Sequence, residues 1–290
     1  MRALALLGPN AAPNHVAPFE SVARQAIATA GAIDASDPLD AVLIFGGDGT
    51  VHRHLRALVE TQVPALVVPS GSGNDFARAL GLQNRDRSLA AWRQFCDSRA
   101  NVRTVDVGQV SPTAQSPVPE ALFCCVAGAG IDSEVNRRAN RLPGWLRAHG
   151  GYALSVPGAA ASFQPRTITV EFVDEDGRQG SLSEPALMCA FANASAYGHG
   201  MRVAPGARMD DGLLDLIFVR RASPARLLTL FPTIYFGAHL RLPEVEHRRV
   251  TTLTIVSDPP LDIYADGEFI CRTPASVKVR PRALKVISGQ

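Results

Sequence analysis

Residues Ala41 to Thr50 read AVLIFGGDGT. A short apolar run, Ala41-Val42-Leu43-Ile44-Phe45, ends on Gly46-Gly47-Asp48-Gly49-Thr50. β-Branched and aromatic residues bounded by glycine read as a buried strand and a turn. Glycines this dense make a poor helix or strand interior. Beyond them Val51, Leu55, Leu58 and Val59 recur at helical spacing, so a helix over Val51 to Val59 follows. The unit is strand, glycine loop, helix. Its loop is either an ordinary tight turn or a cradle for phosphate. Glycines let backbone N–H groups approach phosphate oxygens, and the helix N-terminus adds partial positive charge.

The same unit recurs on both sides. Ala3 to Leu7 is a short strand, and Phe19 to Ala30 has helical spacing with Gly31 as a stop. Pro64 to Val68 is a third strand. It runs into Pro69-Ser70-Gly71-Ser72-Gly73-Asn74-Asp75 and a helix over Phe76 to Leu80. Trp92 to Cys96 closes another helix. Such alternation argues for a parallel sheet covered by helices, and ligands bind such sheets beyond the strands' carboxyl ends. Two glycine loops there, with hydroxyls at Thr50, Ser70 and Ser72, favour phosphate binding over two plain turns in which Asn74-Asp75 merely cap a helix. Neither loop is a Walker A, because no Gly-Lys-Ser/Thr follows.

After residue 101 strand signals dominate: Arg103 to Val107, Ala121 to Val126, Thr167 to Val173, Ala186 to Ala192, Leu213 to Val219, Val250 to Ser257, Leu261 to Ala265 and Ser276 to Val279. Helical insertions are expected near Ser133 to Asn140 and Pro224 to Phe231. Ser111 to Glu120 reads as a proline-rich loop. The expected organisation is therefore α/β plus mainly β. Residues 1–101 form an α/β domain, and residues 102–281 form an antiparallel, sandwich-like one.

Composition narrows the function. The chain has 290 residues, 46% hydrophobic and 19% charged, with net charge +2 and 6% aromatic residues. Neither a basic footprint nor an aromatic platform for nucleic acid is present. The five cysteines contain no C-x-x-C pair. They read as buried free thiols in a reducing cytoplasm. The apolar run before Gly8-Pro9 is too short for a signal peptide. Leu227 to Leu240 is broken by Pro232 and falls short of a membrane span. Core packing is the simpler reading of that stretch, and contact with a membrane surface stays open.

The acids cluster in ARMDDGLLDL (Asp210, Asp211, Asp215) and in YADGEF (Asp266, Glu268). With Asp48 and Asp75 they could supply hard oxygen ligands to magnesium. Taken singly, each Asp-Gly is a hairpin turn. His52 and His54 lie on different helix faces and make a poor metal pair. Asn193-Ala194-Ser195 matches a glycosylation acceptor without a secretion signal. Arg248-Arg249 reads as a solvated turn, with contact to anionic lipid as the lesser alternative.

These segments together resemble the diacylglycerol kinase catalytic-domain superfamily, which includes sphingosine, ceramide and bacterial lipid kinases. GGDGT is shared with NAD kinases and phosphofructokinases. PSGSGNDFAR (Pro69 to Arg78) is similar to the more selective lipid-kinase segment. VDVG (105–108), GAGIDSEV (128–135), residues 194–215, GAHL (237–240) and DGE (266–268) follow in the family's order.

The resemblance implies a nucleotide-binding domain to which residues 282–290 return, and ATP as donor. Asn10, Gly46, Gly47, Asp48, Gly49, Thr50, Gly71, Ser72, Gly73, Asn74 and Asp75 would bind nucleotide, and Asp75 and Arg78 would face substrate. It implies a general base at Asp266 or Glu268. Magnesium would be served by Asp48 and, at a structural site, by Asp211 with the carbonyls of Arg208 and Leu213. The acceptor would be a lipid hydroxyl at a membrane surface, in phospholipid biosynthesis, by a cytoplasmic or peripheral protein. A homodimer is compatible with all of this.

The chain departs from the pattern in three places. Gly8 to Asp40 has room for one helix and loops, without the family's further strand and helix. His52-Arg53 replaces Asn-Glu, and Cys125 replaces Asn. A non-catalytic nucleotide- or lipid-binding protein is the rival reading, and NAD kinase a weaker one.

Overall fold

A computed structural model describes residues 1–112, 119–143, 151–198 and 200–289. The chain divides into two compact units, Met1–Asp106 with Arg282–Gln290 and Val107–Pro281.

In the first unit β1 (Ala3–Leu7), β3 (Ala41–Gly46) and β4 (Ala65–Pro69) are parallel neighbours in the order β4-β3-β1. Every residue of β3 is buried. Burial on both faces explains why its sequence is continuously apolar rather than alternating. Helix α2 (Asp48–Thr61) buries Val51, Leu55, Leu58 and Val59, the stripe its spacing predicts. Helix α1 (Ala17–Ala23) sets Phe19 edge-on to Phe45, with ring centroids 5.1 Å apart. Trp92 of α4 (Arg85–Ser98) donates its indole N–H to the Phe19 carbonyl at 2.9 Å. The last strand, β14 (Ala275–Ile287), pairs Val286 in parallel with Ala65.

The segment before β3 departs from expectation in two ways. Helix α1 stops at Ala23, where Arg24 turns left-handed at φ 55°. Ala28–Ala30 then forms β2, parallel to β1 with Leu4 opposite Ala28 and Leu6 opposite Ala30. The helix expected to reach Ala30 is thus too long, and the further strand expected to be missing is present. The open edge of β1 offers backbone partners that a marginal last turn of helix cannot match. The Glu20 carboxylate also draws the Ile27 amide out of line, accepting from it at 3.0 Å.

In the second unit the paired strands are antiparallel. β7 (Val126–Gly130), β9 (Gln179–Ala192), β10 (Leu214–Arg220) and β11 (Val245–Asp258) lie side by side. β8 (Arg166–Asp174) pairs with the first half of β9 and the second half of β11. Those two long strands therefore each serve two sets of neighbours, which gives the sandwich-like form. β11 also pairs with β14, and β5 (Val102–Pro112) with β6 (Ala121–Phe123). The hairpin β12 (Asp262–Ala265) and β13 (Glu268–Arg272) adds to β7.

Alternation places Ile168, Val170 and Phe172 of β8 in a core with Phe191, Leu216, Phe218 and Ile255. Helices α5 (Ile131–Arg141), α6 (Gly151–Ser162) and α7 (Pro224–Leu230) enclose a second cluster that includes Ile131, Val135, Val156 and Leu187. Sequence patterning anticipated neither α6 nor β13. Of the proline-rich loop, residues 113–118 lie outside the described residues.

Cys124, Cys125, Cys189 and Cys271 are buried and free. Cys96 is only half-buried, which corrects the expectation of five buried thiols. Burial pushes the Cys271 thiol up to about 11. Among the described residues no helix is long and apolar enough to cross a membrane.

Candidate functional site

In the first unit the two glycine loops are one structure. Only Gly47 separates β3 from α2, so Asp48, Gly49 and Thr50 already form the helix's first turn. The amides of a first turn lack partners within the helix and face outward. The second loop lies directly against the first. A Cβ added to Gly71 would stand 2.5 Å from the Gly47 Cα, so the two backbones touch as only glycines can. The Ser70 amide donates to the Gly46 carbonyl at 3.2 Å.

Asp48 joins the loops. Its carboxylate accepts the amides of Asp75 at 3.1 Å and Phe76 at 3.0 Å, capping the short helix α3 (Asp75–Ala79) from a neighbouring strand's loop. Asn74, left-handed at φ 57°, closes the second loop on itself. Its amide group accepts from the Gly71 N–H at 2.9 Å and donates to the Gly71 carbonyl at 2.6 Å. Arg78 pairs with the buried Asp75 at 3.2 Å and donates to the Gly73 carbonyl. Asn10, beyond β1, reaches the Ser70 carbonyl at 3.4 Å.

Asn10, Gly46, Gly47, Asp48, Gly49, Thr50, Gly71, Ser72, Gly73, Asn74, Asp75 and Arg78 thus come together at the carboxyl ends of β1, β3 and β4. The Thr50 side chain packs against the turn itself. It is buried against Gly46, where a Cβ would meet its side chain at 2.5 Å, and it sets the turn's shape. His54 is buried too, and that burial, with Arg53 adding to it, pulls its imidazole below the ordinary histidine range. A glycine surface with outward amides beside a helix start suits the oxygens of a phosphate chain.

In the second unit Asp266 and Gly267 are the two corner residues of the β12–β13 hairpin, at φ 49° and 88°. Positive φ at both positions is the type I′ geometry that Asp-Gly favours. The hairpin aims the Asp266 carboxylate at the bend between β6 and β7. There it accepts the amides of Cys124 at 2.7 Å, Cys125 at 2.9 Å and Val126 at 3.1 Å. Asn193 grips the same bend from its other side. It donates to the Cys124 carbonyl at 2.8 Å through its side chain and to the Cys125 carbonyl at 2.8 Å through its backbone. Asn193 is fully buried, so its glycosylation-like motif is a coincidence of a structural residue. Sequence reasoning missed this clamp, because its partners lie far apart along the chain. Glu268, one residue past the turn, is exposed and has no side-chain partner among the described residues.

Asp211 accepts the Leu213 amide at 3.1 Å, and its other oxygen pairs with Arg249 at 2.6 Å. Arg208 pairs with Asp210 at 3.2 Å. Asp215 is bound to His247 at 2.5 Å. Among the described residues no group of three or more His, Cys, Asp or Glu is placed to hold a metal ion. One carboxylate with two carbonyls is chemistry that magnesium accepts. As arranged, one Asp211 oxygen is paired with the Arg249 guanidinium, and the Asp48 carboxylate accepts two backbone amides.

Residues 10–110 match the diacylglycerol kinase catalytic domain, and residues 125–288 match the YegS C-terminal NAD kinase beta sandwich-like domain. The second match alone covers more than half of the chain. The chain belongs to the diacylglycerol kinase superfamily. A diacylglycerol kinase of Mycobacterium tuberculosis is 35% identical over 254 residues, covering 86% of this chain and 76% of that protein. A diacylglycerol kinase of Bacillus subtilis is 24% identical over 239 residues, covering 79% and 71%. In fold, a diacylglycerol kinase from Bacillus anthracis matches with a TM-score of 0.69 at 16% identity, over 99% of this chain and 96% of that one. An NAD kinase from Archaeoglobus fulgidus in complex with ATP matches at 0.54 and 13% identity, over 100% and 94%. The α/β and sandwich-like architectures are thus those of the diacylglycerol and NAD kinase folds.

Proposed function

We propose that the chain is a lipid kinase that transfers the γ-phosphoryl group of ATP to a lipid hydroxyl, with diacylglycerol as the leading acceptor. The observation that carries this is the interlocked pair of glycine loops. The second of them is built on Pro69 to Arg78, the segment that resembles lipid kinases rather than NAD kinases.

Phosphoryl transfer asks for positioning and charge stabilisation more than for covalent chemistry. Gly47, Gly49 and Gly73 offer backbone N–H groups to the phosphate oxygens, while the Gly71 N–H is held by Asn74. Arg78, with 41% of its side chain exposed, can add a cationic contact while Asp75 orients it. Nucleotide would enter as its magnesium complex, with the ion held chiefly by phosphate oxygens and water.

The base we assign is Glu268. Asp266 has three of the roughly four lone-pair positions of a carboxylate taken by backbone amides. Glu268 has none of its own taken by the described side chains. In the reaction its carboxylate accepts the hydroxyl proton as that oxygen bonds to the γ-phosphorus and the bond to ADP breaks. Asp266 positions it by fixing the hairpin.

The test is incubation with magnesium and ATP, offering dioctanoylglycerol and NAD side by side. The reading requires phosphorylated glyceride and ADP in equal amounts. NADP as the product would overturn it.

A further inference from the structure

Residues 224–241 carry apolar side chains on two opposite faces. Helix α7 continues into 3-10 turns over Phe231–Phe236 and Ala238–Arg241. Its inner stripe is ordinary: Leu227 and Phe231 pack on the cluster containing Val156, Ala159 and Leu187, and Leu230 is buried. The outer stripe is unusual. Phe236 is 80% exposed, Leu228 47% and Tyr235 37%. Ala225, Thr229 and Pro232, which fall between them at helical spacing, also face solvent. A helix of this kind normally presents charged groups on that side.

Among the described residues, the nearby charges without an ion pair are all arginines. No Asp or Glu occurs from Leu216 to Pro243. Arg220 and Arg226 are neutralised by Glu184, Glu246 and Glu244. Arg202, Arg221 and Arg241 are exposed, with no ion pair among the described residues. Arg221 precedes α7, Arg241 closes the last turn, and the Arg202 amide donates to the Ile234 carbonyl at 3.1 Å. Arg221 and Arg241 thus bracket the apolar segment in sequence, and Arg202 is tied to its middle through Ile234.

We propose that this stripe is the surface by which the second unit docks on an anionic lipid bilayer. Phe236, Tyr235 and Leu228 enter the interfacial layer, and the three arginines meet acidic headgroups. Aromatic residues with a polar tip, such as Tyr235, favour that depth. A second copy of the chain is the weaker occupant. A two-fold contact would bring the same unpaired arginines together. The proposal rests on the lipid-kinase reading only in that the acceptor lies in a bilayer.

The test uses the full chain and sedimentation with vesicles, either phosphatidylcholine alone or phosphatidylcholine with phosphatidylglycerol. The wild type should bind the anionic vesicles more tightly, and less so as salt rises. Phe236→Ser should weaken binding roughly tenfold. Arg221→Gln and Arg241→Gln should each weaken it about fivefold. All three variants should keep the wild-type melting temperature and wild-type turnover of water-soluble dihexanoylglycerol. Equal binding to both vesicle types, no binding at all, or wild-type binding by Phe236→Ser would each overturn the proposal. So would a wild-type dimer that Phe236→Ser splits without loss of vesicle binding. If no acceptor, soluble or membrane-borne, is phosphorylated, the kinase reading fails while the vesicle result still decides the docking surface.

Discussion

Changing Asp266 and Glu268 one at a time should separate architecture from chemistry inside one motif. Asp266→Asn leaves a single carbonyl oxygen for three backbone donors and turns an NH2 group toward them. Cys124, Cys125 and Val126 are 1%, 3% and 3% exposed, so water cannot replace the lost acceptor. Each buried donor left unpaired costs about 1–3 kcal/mol. The variant should lose roughly 2–4 kcal/mol from the second unit's unfolding free energy, and turnover with it. Glu268→Gln removes a charge that is exposed and bonded to nothing among the described residues. Its stability should stay within about 0.5 kcal/mol of wild type, while kcat falls by about 10²–10⁴ and the KM for ATP holds. Urea unfolding and coupled ADP-release kinetics on the same preparations give both numbers. The reasoning is wrong if Glu268→Gln keeps kcat within about threefold. It is equally wrong if Asp266→Asn unfolds like the wild type.

Gly71→Ala should press a methyl group onto the Gly47 Cα at 2.5 Å. Such overpacking costs about 1–3 kcal/mol, and calorimetric ATP affinity should drop with it. Asp48→Ala leaves the first two amides of α3 uncapped. ATP affinity should weaken and stability fall by about 1–2 kcal/mol, which nucleotide titration and urea midpoints would show. Burial holds both His54 and His239 below the ordinary histidine range; Arg53 adds to the shift at His54, and at His239 the bond to the Val203 carbonyl opposes it. Their folded pKa values lie below the unfolded value of about 6.5. The unfolded chain therefore binds more protons under acid conditions. Stability should be flat above pH about 6.5 and decline as pH falls below it. His54→Gln should reduce that slope in urea titrations between neutral and mildly acidic pH.

The parallel sheet was legible because AVLIF and its neighbours are buried on both faces and end on glycine. The local signal and the tertiary fate of those strands agree. β2 was not legible, since Ala28, Thr29 and Ala30 are all exposed and only backbone pairing with β1 makes them a strand. β13 begins on exposed Glu268 and Phe269, so its apolar pattern starts late. The loops' composition pointed to phosphate, but their interlock did not show. Contact between Gly47 and Gly71 and the reach of Asp48 to Asp75 and Phe76 are relations across strands. The Asp266 clamp was hidden for the same reason. DG reads as a turn and is one, yet the carboxylate's partners lie about 140 residues earlier in sequence.

The most direct measurement is transfer of label from γ-labelled ATP, with magnesium, to diacylglycerol, monoacylglycerol, sphingosine, ceramide and phosphatidylglycerol offered separately. The account predicts a labelled lipid from at least one acceptor, diacylglycerol first, and loss of that label with Glu268→Gln. ATP bound without any acceptor labelled would contradict it and leave a nucleotide-binding protein on a kinase scaffold.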